Sequence, residues 1–200
     1  MAAVVLFLVL CFSVPCESAL MIPTQGGGAD GMIARDWYSN PNNYWVDSGS
    51  ATVNAYHDGG NRWWYRGLII INISSLAGKT IESTTFNFYS NGFSGVNLQY
   101  VGGIGPVLTT AYGQIAGSNI ASLDGSTGWK SYDVSSYVQS GINNNYQNIG
   151  FVFNAVVNYG SGTAGSAEGG QAAYLNVIVP EPATMCLLGI GGMCLLRRKK

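Results

Sequence analysis

Hydrophobic and polar positions along the middle of the chain follow the patterns of β-strands. Residues 66–73 form an almost unbroken apolar, β-branched run, which predicts a strand buried on both faces at the centre of a sheet. In residues 81–90 apolar and polar side chains alternate with a period of two, which predicts a half-buried strand. Residues 148–157 show a third strong strand pattern.

Weaker runs of the same kind lie between clusters of Gly, Asn, Asp and Ser. They predict further strands at residues 32–37, 51–56, 96–101, 107–109, 128–134 and 171–179. About eight to ten short strands separated by turns are typical of sandwiches and jelly rolls. We therefore expect an all-β fold, a jelly-roll-like β-sandwich over residues 30–179.

Three segments of this body do not have a clear strand pattern. Residues 135–142 predict one short helix, with Asp133 or Ser135 as its N-cap. Residues 111–127 predict a loop that contains at most one strand, and the Gly-rich residues 160–170 predict a flexible loop.

The N-terminus has the layout of a signal peptide. Residues 4–14 are an apolar run that is too short to span a bilayer, and small residues follow it. We expect a signal peptide at residues 1–19 that directs the chain to the Sec export machinery, with cleavage after Cys16 or Ser18, and a Gly-rich linker at 20–29. The residues before the run carry no basic side chain, so the α-amino group would supply the charge. A buried N-terminal helix or strand is the alternative.

The C-terminus has three parts. They are the motif Pro180, Glu181 and Pro182, the apolar run at 183–196, and the basic residues Arg197, Arg198, Lys199 and Lys200. The apolar run is short for a membrane span, and a basic cluster is retained on the cytoplasmic side of a membrane. This pattern predicts a short hydrophobic helix that holds the chain transiently in the inner membrane, with the body outside and the basic residues as a cytoplasmic stop. An uncleaved single-pass anchor is the alternative.

The three-part tail closely resembles the PEP-CTERM sorting signal of bacteria. The resemblance covers residues 180–200 and all three parts of that signal. It implies that exosortase, a membrane transpeptidase, recognises residues 180–182 and processes the tail. It also implies a protein associated with exopolysaccharide production and with the biofilm or the cell surface.

The body has a second, weaker resemblance, to the DNRLRE type of bacterial surface domain. The segments that carry it are residues 66–76 (RGLIIINISSL), 81–89 (IESTTFNFY), 129–139 (WKSYDVSSYVQ) and 148–151 (NIGF). Asn72 replaces the usual Asp, and the early Ala-Asp strand is represented only by Ala29 and Asp30. The resemblance implies a β-sandwich like that of carbohydrate-binding modules and does not define a ligand.

Composition narrows the function classes. Charged residues make up 10% of the chain, and residues 21–179 contain five basic and eight acidic residues, a net charge of −3. Such a body has no basic excess to neutralise phosphates, so we do not expect nucleic-acid binding. All four cysteines lie in residues 1–16 and 186–200, so the body has no disulfide framework and no thiolate metal site.

The sequence contains few of the residues and motifs that are typical of catalytic sites. His57 is the only histidine, no Gly-x-Ser-x-Gly motif is present, and we expect a non-enzymatic protein. A polysaccharide hydrolase with two carboxylates is a less favoured alternative. We expect no cofactor other than a structural Ca²⁺, for which Asp30, Asp58 and Asp133 are the candidate ligands. The alternative roles are a turn former for Asp58 and a helix cap for Asp133.

Aromatic residues are concentrated in residues 37–65. The candidates for stacking on sugar rings are Trp37, Trp45, Trp63, Trp64 and Tyr65. Packing within the sandwich is the alternative, and adjacent strand residues such as Trp63 and Trp64 must point to opposite faces. We expect an exported structural protein of the cell surface or biofilm matrix, and a glycan-binding module for exopolysaccharide is the alternative.

Overall fold

The computed structural model describes residues 17–24, 28–36, 44–48, 50, 52–58 and 63–180, and within them the chain is mostly β. The strands are β1 Glu17–Pro23, β2 Asp30–Asp36, β3 Tyr44–Asp47, β4 Thr52–His57, β5 Trp63–Asn72, β6 Ser83–Ser94, β7 Val96–Gly102, β8 Ser118–Ser122, β9 Thr127–Asp133, β10 Asn148–Ala155, β11 Ser161–Gly165 and β12 Tyr174–Pro180. One α-helix, α1 Ser135–Asn143, and two short 3-10 helices, Ser74–Leu76 and Thr110–Gln114, join them.

All pairings between these strands are antiparallel, and the sheet curls into two layers. In the front layer β6 pairs with β9 along one edge and with β12 along the other, and β12 pairs with β1. In the back layer β5 pairs with β2 and β10, and the order continues through β7 to β8. Strand β11 connects the layers because it pairs with both β6 and β4. This arrangement confirms the expected all-β, sandwich-like fold.

The main core lies between the two layers and is rich in phenylalanine. The alternation in β6 buries Phe86 and Phe88 completely, as the pattern predicted, and leaves the intervening residues half-buried. Phe86 stacks on Phe151 of β10 with ring centroids 3.9 Å apart. Phe153 packs against Phe88 edge to face at 5.0 Å. Aromatic pairs of this kind add to the free energy gained from burial alone.

The continuous apolar run of β5 is explained by a second core behind the back layer. Ile69 and Ile71 face the main core, whereas Leu68 and Ile70 pack on the other side with residues that include Ile104. The segment between β7 and β8 covers this second cluster. Strand β5 is therefore buried on both faces and pairs along both edges, as predicted for a central strand.

The predicted helix is present, but neither residue expected as its N-cap occupies that position. Helix α1 has Val134 at its N-cap, with no capping bond from that side chain. The Asp133 carboxylate instead accepts hydrogen bonds from the backbone N–H of Ser135 at 2.9 Å and from the Ser135 hydroxyl at 2.6 Å. These bonds lower the pKa of Asp133. Val138 and Ile142 are buried and belong to the main core.

Several expectations about loops are wrong. Residues 20–23, expected in a linker, form the second half of β1, and β1 also includes the last three residues of the expected signal peptide. Residues 161–165, expected in a flexible loop, form β11. Residues 107–109, expected as a strand, have no regular structure, and β3 was not anticipated. Strands β1 and β11 have pairing partners that are distant in sequence, β12 for β1 and both β4 and β6 for β11, and these partners decide their conformation.

Candidate functional site

The sorting motif begins where the body ends. Pro180 is the last residue of β12, is exposed, and lies opposite Glu17 in the β1–β12 ladder. Glu181, Pro182, the predicted hydrophobic helix at 183–196 and the basic stop at 197–200 lie outside the described residues. Within the described part of the chain, no helix is long and apolar enough to cross a membrane. The tail therefore follows the last strand of the body directly.

The aromatic residues singled out from the sequence are only partly brought together. Trp64 is half-buried, and two guanidinium groups lie over its ring, with Arg35 5.2 Å and Arg66 4.7 Å from the ring centroid. Tyr65 packs on Tyr56 at 5.7 Å.

Of the other three aromatic candidates, Trp45 is the one whose side chain the structure describes. Trp45, in β3, is half-buried and lies opposite Ala34 of β2. Trp63 starts β5, but its side chain lies outside the described atoms, as does all of Trp37.

Arg66 anchors this cluster in the body. Its side chain is 8% exposed, donates to the carbonyl oxygen of Ile115 at 2.6 Å and donates to Oδ1 of Asn154 at 3.4 Å. Burial, with a smaller contribution from the charge of Arg35, lowers the pKa of Arg66 to about 10, so the group stays charged at neutral pH. Both guanidinium groups lie over the Trp64 ring, and this arrangement favours packing over ligand contact.

The three aspartates considered for calcium lie in different places. Asp30 starts β2 and is 1% exposed, Asp58 follows β4, and Asp133 ends β9 on the surface. Among the described residues, no group of three or more His, Cys, Asp or Glu side chains is arranged to hold a metal ion. The sequence-based set therefore does not form one site.

Asp30 nevertheless has unusual surroundings. Its Oδ2 accepts a hydrogen bond from the backbone N–H of Ala167 at 2.8 Å, and its Oδ1 has no hydrogen-bond partner. Burial, together with the nearby Glu168 carboxylate, raises the pKa of Asp30 to about 6. This carboxyl joins the start of β2 to the segment after β11.

The most exposed tryptophan side chain of the described residues was not among the candidates. Trp129, in β9, is 55% exposed, and the alternation of β9 points it outward. Tyr89 of β6 lies directly opposite it, with ring centroids 5.9 Å apart, and Tyr174 of β12 lies 5.7 Å away. The period-two pattern of residues 127–133 could have indicated this, because an inward-facing Tyr132 requires an outward Trp129.

Comparison with known proteins identifies the tail. Residues 179–200 match the PEP-CTERM protein-sorting motif, which confirms the predicted sorting signal. The match supports an exported, envelope-sorted protein that exosortase processes. It does not include the body, whose resemblance to DNRLRE-type domains is not confirmed. The comparison with curated proteins gave no match.

Proposed function

We propose that this chain is a non-enzymatic structural protein of the cell surface or biofilm matrix. The observation that carries the proposal is the direct connection of a β-sandwich to a sorting motif, since the match at 179–200 starts on the last two residues of β12. Transfer at this motif would leave the folded body attached or released outside the membrane.

The body has properties that suit such a role. Its net charge of about −3 is small for its size, and its surface strands carry mainly Asn, Ser and Thr. Its described core is held by packing without disulfides, because all four cysteines lie in the two ends of the chain. A weakly charged, hydrogen-bonding surface on a folded body suits residence among hydrated polymers, because contacts between exposed charged groups weaken as the salt concentration rises.

The test is localisation with and without the tail. The full chain, a variant lacking residues 183–200, and Glu181→Ala are followed by fractionation and by the intact mass of the surface and matrix protein. Glu82→Ala, which removes an exposed acid of the body, is the matched control. We expect the full chain and the control at the surface or in the matrix with the residues after about 182 removed, and neither tail variant processed there.

Two results would contradict the proposal. One is a mature protein that stays in the inner membrane and retains residues 197–200. The other is the same matrix content whether or not the tail is present.

A second candidate function, glycan binding, is favoured by one specific observation. Trp129 is largely exposed in the middle of a strand and is flanked by two tyrosines on the same face. Exposed aromatic side chains held in a regular strand are common at binding surfaces.

A further inference from the structure

We infer that the outer face of the front layer is a binding platform for a neutral polysaccharide, with Trp129, Tyr89 and Tyr174 as its stacking residues. This inference rests on glycan binding as the second candidate function and assigns it to a different face from the aromatic cluster indicated by the sequence. We call this triad and its surrounding outward residues the aromatic platform.

The triad is preorganised. Tyr89 meets Trp129 at an interplanar angle of 85°, and Tyr174 meets it at 55°, so the indole is supported from two strands. Each tyrosine is itself half-buried and sits on a paired strand. An aromatic side chain held in this way loses little conformational entropy when a ligand covers it.

The platform crosses several strands in a line. Tyr174 lies opposite Pro23 of β1 in the neighbouring ladder, and Pro23 is exposed. From Trp129 to Pro23 the line crosses three interstrand spacings of about 4.8 Å, or about 14 Å. This length suits an extended polymer better than a single small molecule.

Polar groups beside the rings are amides and hydroxyls. Asn87 lies opposite Tyr174 on one side and Ser131 on the other, and it shares the outer face of β6 with Tyr89. Its amide nitrogen donates to the carbonyl and the hydroxyl of Thr85, both at 3.1 Å, which holds the amide in place and leaves Oδ1 as an acceptor. Asn176, two residues beyond Tyr174, is exposed on the same face.

Charge determines the ligand class. The alternation of β9 directs Lys130 away from this face, and Lys130 forms a 2.7 Å ion pair with Asp124. Asp133, at the end of the same strand, is already hydrogen-bonded by Ser135. The described outward side chains of β6, β9 and β12 include no lysine or arginine, so these three strands offer no cation to pair with a polyuronate or a sulfated glycan.

The chemistry of the face matches a sugar ring more closely than a protein surface. A pyranose has an apolar C–H face, which packs on an aromatic ring, and a rim of hydroxyls, which bond to amides. The centre of a protein interface is a larger continuous apolar patch, whereas here the polar residues Asn87 and Ser131 lie beside the rings on the same face.

The experiment measures retention of the purified full chain on immobilised polymers. The probes are a neutral β-glucan, the neutral α-glucan dextran, and alginate as a polyuronate. Trp129→Ala is compared with Trp64→Ala, which removes the indole covered by the two arginines, and thermal melting checks that each variant is folded. We expect a neutral glucan to retain the parent and Trp64→Ala, and Trp129→Ala to bind at least tenfold more weakly with a nearly unchanged melting temperature.

Tyr174→Ala and Trp129→Phe are additional variants. Tyr174→Ala should weaken binding severalfold because it removes one support of the indole, and Trp129→Phe should retain part of the affinity.

Different failures have different meanings. Retention by neutral glucan that is unchanged in Trp129→Ala and lost in Trp64→Ala would refute the platform and leave glycan binding intact. Preference for alginate would refute the ligand class. Absence of retention on every polymer would refute both glycan binding and the platform. Self-association that depends on Trp129, seen by analytical ultracentrifugation without glucan binding, would show that a second copy of the chain occupies the face and would also overturn the inference.

Discussion

Replacing Asp30 by asparagine should remove a specific pH dependence from the stability of this protein. Asp30 is 1% exposed, and burial, with the neighbouring Glu168, raises its pKa from 3.8 to about 6. The folded state therefore holds this proton more tightly than the unfolded state does. The Asp30 carboxyl contributes most to the unfolding free energy below about pH 4, and this contribution is lost as the pH rises from about 4 to about 6.

The size of the effect follows from the interval between the two pKa values. About two pH units at 1.36 kcal/mol per unit correspond to roughly 3 kcal/mol of unfolding free energy lost by pH 7. The amide introduced by Asp30→Asn would carry no charge at any pH, and its oxygen can still accept the hydrogen bond from the Ala167 N–H, which is 2.8 Å long in the parent. Asp30→Asn should therefore be more stable than the parent at pH 7, by up to roughly 3 kcal/mol.

The assay is urea denaturation of the purified parent and variant at a series of pH values between about 4 and 8. Other carboxylates titrate in both proteins, so the diagnostic quantity is the difference in unfolding free energy between them. That difference should grow in favour of the variant from about pH 4 to about pH 6 and then stay constant. The reasoning would be refuted if the difference in unfolding free energy between variant and parent did not change with pH. In that case the variant would lose as much unfolding free energy between pH 4 and pH 7 as the parent does.

Asp124→Asn is the matched control with the opposite sign. Hydrogen bonds from Lys130 and Ser126 lower the pKa of this exposed carboxylate to about 2. Because its pKa is lowered, the Asp124 carboxylate stabilises the folded state at pH values above 3.8, its pKa in the unfolded chain. This stabilisation is lost as the pH falls toward about 2. The difference curve of Asp124→Asn should therefore be flat between about pH 5 and pH 8, where that of Asp30→Asn changes.

Three further predictions concern the fold and its processing. Phe88→Ala should lower the unfolding free energy by about 3–5 kcal/mol in urea, because the ring is fully buried; a loss below about 1 kcal/mol would contradict its place in the main core. Gly31→Ala should lower the melting temperature more than Gly78→Ala does. An added Cβ at Gly31 would lie 2.2 Å from the carbonyl oxygen of Asp47, whereas Gly78, also at positive φ, has open space around it. The mature N-terminus should be Glu17, because later cleavage removes residues that pair with β12; N-terminal sequencing that finds a later start would show that this end of β1 is dispensable.

The elements that could be predicted from the sequence are those whose order of apolar and polar side chains is complete within one short stretch of chain. The run of β5, the alternation of β6 and the helix at 135–143 each show their burial in the local order of apolar side chains. Strand β11, Ser161–Gly165, has no such signal because its residues are small, and it becomes a strand by pairing with β4 and β6. Strand β1 likewise owes its conformation to β12, about 160 residues away.

The candidate sites illustrate the same division. The sorting signal at 179–200 is recognised as a linear motif, so the sequence was sufficient for it. For the aromatic residues, composition indicated a ligand surface, but the exposure of each ring depends on what the other strands place beside it. Arg35 and Arg66 lie over the half-buried ring of Trp64, whereas Trp129 is exposed beside Tyr89 and Tyr174.

By itself, the sequence determined the all-β class, the central buried strand, the short helix and the exported, sorted character of the chain, because periodicity, composition and linear motifs are properties of neighbouring residues. Only the tertiary structure decided which faces are covered, which carboxylate is desolvated and which tryptophan is accessible. Burial depends on contacts between strands such as β1 and β12 or β6 and β9, and the strands within these pairs are far apart along the chain.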